Sequence, residues 1–553
     1  MTADIVIKGG TVVDGTGAPG YRADVAITGS VITDIGPDLD GGRVLDATGQ
    51  VVSPGFVDIH SHYDAQVFWD PALTPSSYHG VTSVVAGNCG FSIAPVRPGD
   101  GEVLAKTLKN VEDMSEETLI AGVPWGEFET FPQYLDAVQR HGTVINFGCY
   151  VGHTALSIYV MGEAAFERGP DAAELAQMRA LVSEALAAGA IGFASSHAPT
   201  HNGEGGRPVP SRFTGLEELR ELLAPLREQN RGVAALLPAQ IISDDELFEL
   251  QREIGRPFTW TALLTRHGSD FHYAKIEAND KARAEGVEVW PQVSGRPLVF
   301  QMNLRDPFTL NTRPAFKELV DGPRDERIAA YTNPEWRARA FEQLSNGGFG
   351  VNWDSTTVAE SERHPELIGR LIRDIARDRG VTELDAMLDV ALDDDLDTRF
   401  RTSVANDDEE GVAYLIPRDN VLLGLADSGA HISQLCDACF ATDLLGTWVR
   451  DKQVMPLERA IHKLSEEPAA VYGLTDRGVV EVGRKADVNV FDPDTVAPGP
   501  LHRMWDFPAN GERLVADAPV GMTHTLVNGT PIRVDGQPDP DALTSRPGQV
   551  LRG

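Results

Sequence analysis

Alternating apolar and polar residues fill both ends of the chain, while a different rhythm occupies the middle. Residues 5–14 read as short strands broken at Gly9 and Gly10, and residues 24–36 repeat the pattern around a Gly29-Ser30 turn. Residues 486–493 and 524–534 look the same, and Asn528-Gly529 carries a strong hairpin signal. Two β-rich ends around a different middle predict one small β-sandwich domain built from residues 1–54 and 476–553.

Between them, apolar strand runs alternate with amphipathic helices. Asp171 and Glu174 stand at capping-box spacing, and Leu175, Met178, Val182 and Leu186 follow at helical intervals. Gly189 is placed to stop that helix before a buried strand over 190–195. A second unit has a strand at 258–264, a helix at 274–285 and a strand at 287–291. Repeated β–α units require a parallel sheet covered on both faces. The fold class expected for 55–475 is therefore a (β/α)8 TIM-type barrel, with reactive groups at the C-terminal ends of its strands. Residues 300–420, rich in Pro, Arg and acidic clusters, are expected to form a helical and irregular insertion over the barrel mouth.

Composition narrows the partners. Forty-eight Lys and Arg face 82 Asp and Glu, a formal charge of −34 that repels nucleic-acid backbones and anionic lipid. A small-molecule substrate is expected, with no nucleic acid or membrane partner; a homo-oligomer is compatible with the sequence. The N-terminus lacks a basic segment followed by an apolar one, and no apolar run reaches 18 residues. Four cysteines in 553 residues make no disulfide framework, so a cytoplasmic location is expected.

The clearest chemical signal is residues 53–64, where a strand over 56–59 ends in His60 and His62. Residues i and i+2 share a strand face, so both imidazoles can reach one divalent ion. The next strand, 80–90, ends on Cys89, which reads equally as a metal-bound thiolate or as a small buried residue in a tight turn. Asp427 ends another buried strand and can ligate a metal, orient a water and relay its proton to a leaving nitrogen, or cap a helix instead. His431 follows, as a neighbour of the metal site or as a structural residue. The glycine- and proline-rich loop 196–212 either brings His201 and Arg212 to the expected barrel mouth as substrate contacts or is a surface loop with incidental polar residues, and Arg296 ends a further strand, either to clamp a substrate carboxylate or to pair with an acidic neighbour. Cys436 and Cys439, with no second cysteine pair, read as ordinary helix packing.

The segments 54–62, 87–90 and 151–156, with the strand bearing Asp427, resemble the amidohydrolase superfamily and its D-aminoacylase (N-acyl-D-amino-acid deacylase) branch. The likeness runs from the N-terminal strands to Lys485–Pro493 and Val527–Gly529. It implies a barrel beside a β-sandwich, zinc (one or two ions, or another divalent metal) held by His60, His62, Cys89 and Asp427, a substrate contact at His153, and hydrolysis of an N-acyl-D-amino acid through metal-activated water. The chain also departs from the branch. Its fourth strand has no lysine to bridge two metals, leaving Cys89 as the candidate bridge. Its expected fifth and sixth strands, 232–238 and 258–264, lack the usual histidines, while His197, His201, His267 and His272 lie in or near adjoining loops. Ser157 also replaces an arginine that would offer an anion contact. Hydrolysis of a cyclic amide or other C–N or ester bond, and a catalytically silent scaffold, are the alternatives.

Overall fold

The computed structural model describes residues 2–239, 241–320, 322–345 and 350–553. Eight short strands form one wholly parallel sheet: β1 (Phe56–Asp58), β2 (Val81–Ala86), β3 (Asn146–Gly152), β4 (Gly192–Ser196), β5 (Val233–Leu237), β6 (Phe258–Trp260), β7 (Val289–Val293) and β8 (Leu422–Leu423). Each pairs with the next in sequence, and β8 follows β7 after the long insertion. Just past the strand ends, Ser61 bridges Ser428 in parallel and His62 N donates to Ser428 O at 2.7 Å, which joins β1 to β8 and closes the barrel. This ring brings His60, His62 and Asp427 to one rim although 365 residues separate the last two.

Inside the ring Val57, Ile59, Val85, Tyr150, Ile191 and Leu422 pack together, and Leu551 joins them from the C-terminus. Outside it, helices cover the strands. The Ala172–Ala188 helix begins as the spacing predicts: the Asp171 carboxylate accepts from Ala173 N and Glu174 N at 2.8 and 2.9 Å, Glu174 reaches back to Asp171 N at 2.7 Å, and Gly189 ends it in the left-handed region. Among the described residues no helix is long and apolar enough to cross a membrane.

A nine-stranded β sheet draws on both ends of the chain. Its strand Val51–Pro54 lies between Ala3–Val12, which it meets in parallel at Thr11 and Val12, and Val488–Phe491, which it meets antiparallel. The region expected to be helical and irregular differs from that expectation. It contains a three-stranded antiparallel sheet, Leu298–Met302, Arg399–Ala405 and Thr357–Glu360, beside its helices. Met302, Phe316, Tyr331, Trp336, Leu384 and Phe400 form a core of its own. Charged residues such as Arg399, Arg401 and Glu360 interrupt these short strands and hide their alternation.

Candidate metal centre

Three strand ends build the site. Beyond β1, His60 and His62 are both buried, and the His60 amide donates to the buried Asp58 carboxylate at 3.0 Å. Beyond β2, Gly87, with φ of 81°, turns the chain so that Cys89 faces the same point from the left-handed region at φ 54°. Beyond β8, Asp427 takes φ 48°, with Leu425 and His431 also left-handed. L-residues with side chains rarely adopt this region, and such strain concentrates where side chains must be aimed at a ligand.

Asp427 Oδ1 lies 3.4 Å from His60 Nε2 and 3.1 Å from His62 Nε2. Cys89 Sγ is 3.8 Å from His60 Nε2. Among the described residues, His60, His62 and Cys89 are the group of metal-binding side chains whose ligand atoms all lie within 4.8 Å of one another. Each imidazole is held from behind. Gln292 Oε1 on β7 is hydrogen-bonded to His60 Nδ1 at 2.7 Å, whereas Glu112 Oε1, at the end of the Gly101–Glu112 helix, faces His62 Nδ1 at 3.1 Å as an ion-pair partner without an aligned hydrogen bond. With Nδ1 so engaged, Nε2 is left to bind a metal.

The charges agree with that reading. Burial disfavours a charged His60, but Asp427 and Cys89 outweigh it and raise its pKa to about 10. His62 is likewise raised despite burial, by Glu112, Asp427 and Cys89. Burial would push the Cys89 thiol up, yet the two imidazoles hold it below its usual value, and they hold Asp427 well below the carboxylate range. A carboxylate and an acidified thiol converging on two imidazoles make a field that favours a divalent cation, and N, S and O donors together suit zinc-like ions.

A cavity of about 140 Å³ adjoins Asp427 and is lined also by His201, His431, Arg296, Leu298 and Phe300. Of the expected substrate contacts, His201 and Arg296 therefore reach it. Arg296 is engaged with Asp437 and Asp443, at 2.6 and 3.1 Å, the acidic-neighbour alternative of its sequence reading. Arg212 does not line this cavity; it donates to His201 O and to Asn202 Oδ1, at 3.2 and 2.7 Å, and so ties the loop that carries His201. His153 is wholly buried between Ser195 Oγ and Thr214 Oγ1, at 2.8 and 3.3 Å, away from the cavity lining. His197 approaches Thr214 O, His267 is exposed and His272 is buried against Tyr273, so none of the three joins the metal group. Cys436 and Cys439 are buried just before the Phe440–Asp443 helix rather than within it.

Glu112, Gln292 and Asp58 carry signals that the sequence reading passed over. Leu104, Leu108 and Glu112 are spaced four apart, which puts a carboxylate on the buried stripe of a helix. Gln292 ends an apolar strand, and Asp58 shares the strand face of His60.

A closed parallel barrel with imidazole, thiolate and carboxylate donors at the C-terminal rim of its strands defines a metal-dependent hydrolase. The chain belongs to the amidohydrolase family, whose model matches residues 43–340 and 398–532. It is 30% identical over 560 residues to N-acyl-D-glutamate deacylase of Alcaligenes xylosoxydans xylosoxydans, covering 99% of this chain and 96% of that one. Among solved structures, N-acyl-D-glutamate deacylase from Bordetella bronchiseptica, complexed with zinc and a phosphonate inhibitor, matches with a TM-score of 0.68 and 26% identity over 100% of both chains. A D-aminoacylase structure concerned with that enzyme's binuclear metal center matches at 0.69 and 26%, again over 100% of both.

Proposed function

We propose that this amidohydrolase cleaves the amide bond of an N-acyl-D-amino acid to a carboxylate and a free D-amino acid, with zinc held by His60, His62, Cys89 and Asp427. The observation that carries this reading is the position of Asp427. Its Oδ1 touches both imidazoles while the residue also lines the adjoining cavity. When bound, the metal supplies Lewis-acid polarisation of the scissile carbonyl and lowers the pKa of a water. Asp427 accepts the proton as the water oxygen bonds to the carbonyl carbon, then delivers it to the nitrogen as the C–N bond breaks. Gln292 and Glu112 keep each imidazole's Nε2 turned inward. His201 contacts the substrate from the cavity wall, Arg212 holds its loop, and Arg296 shapes the far wall with its two aspartates. His153 locks the end of β4 through Ser195.

The deacylase and D-aminoacylase relatives support the substrate class. Four free cysteines, three of them buried, support a reducing, cytoplasmic location. The deciding variant is Asp427→Asn, assayed on N-acyl-D-amino acids. It should fold, and kcat/KM should fall by about 10²–10⁴-fold. Retained turnover would remove Asp427 from the proton relay.

A further inference from the structure

A larger cavity, of about 520 Å³, lies between the Gly101–Glu112 helix, the loop after β4 and the insertion. Thr200, next to His201, lines both this cleft and the cavity beside Asp427, so the two adjoin. Five cationic side chains line the cleft in a chain whose net charge is −34. Two are already paired: Lys106 with Glu102 and Glu204, at 3.4 and 3.5 Å, and Arg305 with Asp397 at 2.7 Å. Lys109, Lys317 and Arg327 form no ion pair among the described residues.

Arg327 is the informative one. It is 7% exposed, and its buried Nη1 has no hydrogen-bond partner. The Tyr331 hydroxyl adjoins the guanidinium and donates to Leu304 O at 3.1 Å. An unsatisfied donor on a buried guanidinium costs free energy unless a ligand completes it, and a carboxylate is the group whose geometry fits. Among the described residues four acids also line the cleft: Glu204 is engaged by Lys106, Asp113 accepts from Ser433 N and Oγ at 3.0 and 2.6 Å, Glu116 acts on Lys106, and Asp306 faces the Tyr331 hydroxyl.

We infer that the substrate carries a second carboxylate, remote from the scissile amide, that binds in this cleft at Arg327 with Lys109 and Lys317 around it. The inference deepens the amide-hydrolase reading and rests on it. The remote carboxylate can belong to the acyl chain or to the amino-acid side chain. Two comparisons separate these sources: N-glutaryl- against N-hexanoyl-D-leucine, and N-acetyl-D-glutamate against N-acetyl-D-leucine. Each is measured by steady-state kinetics on the metal-loaded enzyme and by calorimetric binding to Asp427→Asn.

At least one carboxylated compound should be favoured by about 10-fold or more, mainly through KM, and the preference should shrink with added salt. Arg327→Gln should bring that ratio near one, and Lys109→Ala/Lys317→Ala should lower it. The exposed lysine pair carries the test if the buried arginine variant fails to fold. No preference in turnover or binding, or a preference untouched in every folded variant, overturns the inference. Binding that depends on the cleft residues without any amide hydrolysis would uphold the cleft and refute the proposed reaction. Hydrolysis of neutral and charged substrates alike would do the reverse.

Discussion

A carboxylate at the C-terminal end of a helix opposes the helix dipole, and Glu112 occupies that position, buried, with its charge turned to His62 Nδ1. Its value must lie in fixing that imidazole. Glu112→Gln is expected to keep the fold and weaken metal affinity about 10–100-fold, read from competition with a chromophoric chelator; unchanged affinity would make the contact purely structural. His153 supports a prediction about acid stability. Burial, with His197 nearby, pushes its imidazole down to about 3, so the neutral ring is the native form. Unfolding restores a pKa of about 6.5, and the contribution is therefore full above that pH and lost as pH falls from about 6.5 towards 3. At about 1.4 kcal/mol per pH unit, roughly 2 kcal/mol has gone by pH 5. His153→Gln should accordingly show a flatter dependence of melting temperature on pH between 7 and 5 than wild type, and parallel curves would refute the assignment. His60, His62 and Asp427 were legible because each ends an apolar strand, where barrels place their chemistry. Glu112 was not, since its partner lies 50 residues away and only the path of the loop brings them together.

Elements that depend on local signals were the easiest to read. Asp171, Glu174 and Gly189 mark both ends of the Ala172–Ala188 helix, and the structure uses all three as caps. Asp171→Ala should cost about 1 kcal/mol in denaturant unfolding and leave kcat/KM alone, because the cap lies on the outer layer and faces solvent. The three-stranded sheet of the insertion was illegible for the opposite reason. Its pairing of Leu298–Met302 with Arg399–Ala405 spans about a hundred residues, and arginines occupy strand positions where apolar alternation would have shown. Yet this sheet shapes the site: Leu298 and Phe300 wall the cavity beside Asp427, and Asn406, just past Arg399–Ala405, donates to Ser294 O and Arg296 O at 2.8 and 2.7 Å.

For the molecule as a whole, metal and fold are linked, because four elements converge on one charge cluster. A ligand that binds only the native state stabilises it by RT ln(1 + [L]/Kd), about 4 kcal/mol at 1,000 times Kd. Chelation should therefore lower the melting temperature and zinc should restore it, with His60→Ala/His62→Ala unresponsive to both; equal melting temperatures with and without metal would break the linkage. Barrel and superfamily could be read from the chain because strand–helix alternation and the rim motifs recur along its length. The cationic cleft beside the insertion could not, since it is assembled from the Gly101–Glu112 helix, the loop after β4 and residues 305–327, segments about a hundred or more residues apart.

The strand Val51–Pro54 leads into the histidines of the site, yet one of its two neighbours is Val488–Phe491, roughly 430 residues later. During synthesis at about 5–20 residues per second, that edge waits some 20–90 s for its partner. His60 and His62 beyond β1 thus leave the ribosome early but are anchored late, and a nascent chain has histidines and a cysteine exposed to free metal well before the cage around them exists.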